Sequence, residues 1–128
     1  MSSKSHVNLA SIISEFARSQ PEREALVFEC GAALPDVTRT YGQLWRNGQA
    51  LARGLRRRGV GPGSVLALLM ANHAEFVDLL VAASLLRAVL VPIDPRTKGE
   101  KLAFMVANSK ATGLVAADYA LRHVEDAL

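Results

Sequence analysis

The sequence predicts an α/β fold: a three-layer body with a mainly parallel sheet, flanking helices and a small antiparallel hairpin near the N-terminus. Three observations lead there. Val65-Leu66-Ala67-Leu68-Leu69-Met70 and Val89-Leu90-Val91-Pro92-Ile93 are continuous apolar runs, the pattern of parallel strands buried on both faces. Leu114-Val115-Ala116 is a shorter run of the same kind. Helix-start patterns separate the runs, with Asn72 followed by Glu75 and Thr97 followed by Glu100. Strands alternating with helices imply right-handed crossovers between parallel neighbours.

Taken in order, Asn8 is placed to cap a first helix whose apolar positions Leu9, Ile12, Ile13 and Phe16 share one face, and Pro21 ends it. Residues 25–29 and 37–40 read as strands, joined by a turn over 31–36 that contains Pro35. Thr40 and Gln43 form a capping box for a helix running to about Arg58. Leu44, Gly48, Leu51, Ala52 and Leu55 line one face of it, with Gly48 admitting a close neighbour. Gly59 suits the left-handed cap that ends it. Asn72 and Glu75 open a helix over 73–86, and Thr97 and Glu100 open one continuing through 101–108. Asp118 caps a last helix reaching Leu128.

Composition bounds the rest. A chain of 128 residues holds one domain. Half of it is apolar and 21% is charged, so it forms a core. That apolar share is high for so small a body: either the core is very well sequestered, or, the reading preferred here, some apolar surface belongs against an absent partner. The expectation is self-association through the outer faces of helices 9–18 and 101–108 and any unpaired sheet edge. Net charge is +3, concentrated in Arg53, Arg56, Arg57 and Arg58. Cations at a helix C-terminus offset its dipole, and no aromatic interleaving points to nucleic acid. Cys30 is the sole cysteine, so no intrachain disulfide forms and a reducing cytoplasm is the simplest location. Residues 1–20 hold no long apolar core for an export signal. The apolar span 76–93 is interrupted by Asp78, Arg87 and Pro92, so no transmembrane segment is expected.

Few residues suggest chemistry. His6, His73, His123 and Cys30 lack metal-ligand spacing. No Gly-x-Ser-x-Gly elbow occurs. Gly59-Val60-Gly61-Pro62-Gly63 follows a helix and precedes a strand, whereas a phosphate loop follows a strand and opens a helix. It reads as a turn. Asn72, Glu75 and Asp94 stand just past strand ends, where ligands of open α/β sheets bind. Capping and turn formation account for all three.

Thr40-Tyr41 with Leu44, Gly59-Val60 with Gly63, Asn72 with Glu75, Val91-Pro92 with Asp94-Pro95, and Ser109 with Ala111 form an ordered set across residues 8–128. This set resembles the opening segment of the adenylate-forming (AMP-binding) superfamily, and most of all a bacterial AMP-forming acyl-CoA synthetase, a fatty-acid–CoA ligase. Two positions depart from that pattern: Arg87 stands where glycine is common, and Ser64 where an acid is usual, read as a surface change. The resemblance implies a parent enzyme that joins a carboxylic acid to ATP, releasing pyrophosphate, and passes the acyl group from AMP to CoA, with Mg²⁺ assisting. The loop, lysines and mobile domain that serve this chemistry have no counterpart in residues 1–128. The reading is therefore an N-terminal fragment, inactive alone, with no catalytic, cofactor-binding or metal-binding residue of its own. Its partners are the remainder of the parent and that parent's carboxylic acid substrate. The chain also ends without a helix stop signal. An adenylation domain loading a carrier protein is the alternative within the enzyme reading. A stand-alone, non-catalytic α/β binding or interaction module is the alternative outside it.

Overall fold

The computed structural model describes residues 7–128. His6, and the first six residues of the segment searched for an export signal, lie outside the described residues. The elements run α1 (Leu9–Ser19), β1 (Glu24–Phe28), β2 (Val37–Thr40), α2 (Tyr41–Arg57), β3 (Val65–Leu69), α3 (Ala74–Leu86), β4 (Val89–Ile93), α4 (Gly99–Asn108), β5 (Gly113–Ala116), a 3-10 turn (Asp118–Ala120) and α5 (Leu121–Ala127). β1 and β2 form the expected antiparallel hairpin. β3, β4 and β5 form a parallel sheet in the order β4-β3-β5, with Val65 beside Val89 and Leu66 beside Gly113.

Alternation along β3 splits the core in two. Ala67 and Leu69 point to one face and pack with Ile93, Leu102 and Ala120 beneath α4 and α5. Leu66 and Leu68 point the other way and are equally buried, under the layer of α1, α2 and α3. α3 is apolar nearly all round and buries Leu79, Val81, Ala82, Ala83 and Leu86, as a helix enclosed in a core must. α2 lies close against it because Gly48 has no Cβ; one added there would overlap Val81 Cγ1.

Local signals shaped the ends of these elements as expected in some places. Asn8 caps α1, its Oδ1 accepting the Ser11 N–H at 2.9 Å. Thr40 and Gln43 form the expected reciprocal box on α2. α2 then closes in a Schellman turn: Gly59 N–H donates to the Arg56 carbonyl and Val60 N–H to the Leu55 carbonyl, with Gly59 at φ +92°. α3 and α4 close the same way without glycine, on Arg87 (φ +56°) and Lys110 (φ +58°).

Four expectations need correction. Asn72 and Glu75 form no capping box; α3 begins one residue later, behind an uncapped His73. Glu75 is drawn aside to Arg39, 3.6 Å away. Thr97 and Glu100 form none either, because Thr97 N–H is taken by the Asp94 carbonyl at 2.9 Å and α4 starts behind Lys98. Asp118 opens the 3-10 turn and does not cap α5, its Oδ1 accepting the adjacent Tyr119 N–H. β4 and β5 are both edge strands, with Val89 51% exposed and every residue of β5 only partly buried, so neither is buried on both faces as β3 is. Pro92 cannot donate to a ladder and fits the β4 edge.

Candidate functional site

The carboxyl ends of β3 and β4 open onto a cavity of about 660 Å³, the place where open α/β sheets hold ligands. Met70, Ala71 and Asn72 leave β3 along one wall, and Asp94, Pro95 and Arg96 leave β4 along the other. Asn72 and Asp94 are thus brought together, while Glu75 is not; it turns toward Arg39 and Asp78 on the far side of α3. Tyr119 also lines the cavity. Its hydroxyl accepts the Ala71 N–H at 2.8 Å and lies 2.9 Å from His73 Nε2. No spacing rule links Tyr119 to His73 across 46 positions; only the fold does.

Charge in this cavity is largely spent. Arg96 places Nη2 2.6 Å from Asp94 Oδ2 and Nε 3.0 Å from Oδ1, and its backbone N–H also donates to Oδ1. These bonds hold the Asp94 carboxyl down to about 2. Asp94 therefore stays ionised but carries its own counter-ion. His73 faces a phenol, and His123 Nδ1 lies 3.2 Å from the Pro95 carbonyl, tying α5 to this rim. Among the described residues no three His, Cys, Asp or Glu side chains converge on one point. Cys30 sits by the hairpin turn, its Sγ 3.7 Å from the Phe28 carbonyl. The Tyr119 hydroxyl and His73 Nε2, 2.9 Å apart, have the spacing of a hydroxyl beside a base, and the phenol oxygen also accepts the Ala71 N–H.

The glycine-rich turn gives a direct test for a nucleotide. Gly59 and Val60 donate to α2 carbonyls, Gly61 N–H to Ser64 Oγ at 3.0 Å, and Gly63 N–H to the Arg87 carbonyl at 3.0 Å. Pro62 has no N–H. Every amide of the loop is already used, so residues 59–63 do not form a phosphate cradle, and no ATP–Mg²⁺ site is assembled from them. Ser64 is also more than a surface change, since its hydroxyl builds this turn and its carbonyl accepts the Val89 N–H at 2.7 Å.

Residues 13–128 match the family described as AMP-binding enzyme, and the chain belongs to that family. It is 31% identical over 113 residues to tyrocidine synthase 2 of Brevibacillus parabrevis, covering 88% of this chain and 3% of that protein. Among solved structures, a protein of Rhodopseudomonas palustris assigned as a long-chain-fatty-acid CoA ligase superposes with a TM-score of 0.81 at 27% identity, over 93% of this chain and 29% of that one. A fatty acyl-adenylate ligase of Legionella pneumophila shares the fold, with a TM-score of 0.79 at 22% identity over 89% of this chain and 20% of that one. The chain thus spans less than a third of each protein it matches here.

Proposed function

We propose that this chain is the N-terminal part of an adenylate-forming ligase, a parent enzyme that activates a carboxylic acid with ATP and Mg²⁺ and hands the acyl group to a thiol. The observation that carries this is the family match across residues 13–128. The share that the chain covers of the superposed ligase, 29%, agrees with a part of such an enzyme. The role of these residues in the parent is scaffolding: a parallel half-sheet sealed by helices on both faces, with a cavity at its carboxyl edge and all the amides of its glycine turn spent. Alone, the chain has no ATP-dependent activity.

For the acceptor thiol, CoA with a fatty or related acid is the first reading, favoured by the likeness to the Rhodopseudomonas protein over 93% of this chain. A specific observation favours a second, in which an amino acid is loaded onto a carrier protein: the 31% identity to tyrocidine synthase 2. Expressing the coding sequence through its downstream region and trapping activated acids with hydroxylamine separates the two. Fatty-acid hydroxamates together with CoA thioester formation support the first, and amino-acid hydroxamates with no CoA thioester support the second. An immediate stop codon after Leu128 would overturn both in favour of a stand-alone module.

A further inference from the structure

α2 carries two glycines in its helical interior at positions where alanine would ordinarily be favoured, and its own chain explains only one. Gly48 is required by Val81. At Gly54 an added Cβ would meet nothing within 4 Å, and the backbone is not left-handed. An exposed mid-helix glycine is unfavourable relative to alanine, and no neighbour among the described residues needs this one.

Gly54 lies in a cleft of about 510 Å³ between α2 and the start of α3. The α2 wall is Asn47, Ala50, Leu51, Gly54, Leu55 and Arg58, which is one continuous helix face at i, i+3, i+4, i+7, i+8 and i+11. The other wall is Glu75 and Asp78. Asp78 is 3% exposed, and its Oδ1 has no hydrogen-bond partner among the described residues. The Glu75 side chain is 63% exposed.

This face is complementary to itself. Laid antiparallel on a second copy, about a twofold axis at the level of Ala52 and Arg53, Leu55 meets Ala50 and Leu51 meets Gly54. Each bulky side chain faces a small one, as closely packed helices require. Asn47 and Arg58 stand about 16 Å apart along the axis, so Arg58 of the second copy arrives at the Asn47 end, over Glu75 and Asp78. Arg53 and Arg56 line a separate hollow with Leu85, off this face. Arg39 already stands 3.6 Å from Glu75 and 3.4 Å from Asp78, so the arriving Arg58 is a second cation shared by these two carboxylates.

We infer that the chain forms a twofold dimer by antiparallel pairing of α2 across this cleft, with Arg58 of each copy set against Glu75 and Asp78 of the other. The contact is isologous, the commonest arrangement of homodimers. It differs from the faces of α1 and α4 to which composition pointed. One helix pair is a small interface, so the dimer is reversible and fills at protein concentrations on the order of 100 µM.

Sedimentation velocity across a wide concentration range tests this, with far-UV circular dichroism to check folding. The wild-type chain is expected to shift from monomer to dimer as concentration rises. Gly54→Trp, which has open space around it in the monomer, should keep its helical signal and remain monomeric. Arg58→Glu and Glu75→Arg should each weaken the dimer roughly tenfold, and the double reversal should recover it. A monomer at every concentration overturns the proposal, whatever else then fills the cleft. So does a dimer indifferent to Gly54→Trp, or charge reversals that show no mutual rescue.

Discussion

Asp78 and Arg87 carry the clearest consequences at the scale of single residues. Asp78 is a buried carboxylate set into a mostly apolar helix, with Arg39 Nε and Asn47 Nδ2 both on Oδ2, at 3.4 and 3.3 Å. Burial outweighs these partners and raises its pKa above the ordinary 3.8. The folded chain therefore holds this proton more tightly than the unfolded chain does. Its contribution to stability is present below about pH 4 and is lost as pH rises through the raised value. Asp94 runs the other way: lowered to about 2 by Arg96, its contribution is present above the ordinary value and lost as pH falls toward about 2. Asp78→Asn removes the first effect and leaves the second. Urea titrations of both proteins should show the variant gaining on the wild type from about pH 4 toward pH 7, and the opposite slope contradicts the assignment. Arg87 sits at φ +56° and ψ +33°, left-handed, where a side chain costs roughly 1–2 kcal/mol. The sequence already marked this position, because a glycine is usual where Arg87 stands. Part of that cost is offset, since glycine loosens the unfolded chain. Arg87→Gly is expected to stabilise by about 1 kcal/mol, read as a rise of a few degrees in Tm.

Elements depend on how local signals compete with tertiary ones. The two-sided apolar run at residues 65–69 revealed β3 because four of its five residues are buried. The run at 89–93 revealed β4 equally well but hid its position in the sheet. Pro92 was the available clue, since a residue without an N–H belongs on an edge. Capping patterns were reliable where nothing else competed for their side chains, at Asn8 and Thr40. They failed at Asn72 and Thr97, where Arg39 and the Asp94 turn took the groups that a box requires. Gly48 was legible as a close approach, and its partner Val81 supplies the test. Gly48→Ala should destabilise by about 1–3 kcal/mol through overpacking between α2 and α3. Combining it with Val81→Ala should recover part of that loss, giving a coupling energy of about 0.5 kcal/mol or more in denaturant-based double-mutant analysis. Strict additivity would mean that the two helices do not meet at this point.

At the scale of the whole molecule, the chain joins a three-stranded parallel sheet, helices on both of its faces and a hairpin into one body of the AMP-binding family. The architecture was readable because apolar runs, turns and helix starts are local. The cavity at the carboxyl edge of the sheet was readable only in part. Asn72 and Asp94 could be placed there from their strands, whereas Tyr119 and His73 meet only through folding. The family match and the spent amides of residues 59–63 support the proposal at the centre of the account, that these residues scaffold an adenylate-forming enzyme whose chemistry is done by the rest of the parent. Carboxylate-dependent exchange of pyrophosphate into ATP tests that claim most directly, measured on the 128-residue chain beside a product extended through the downstream coding sequence. The account expects exchange by the extended protein with at least one carboxylic acid and only background from the chain alone. Exchange by the chain alone that depends on a carboxylic acid and survives removal of contaminating ligases would contradict it.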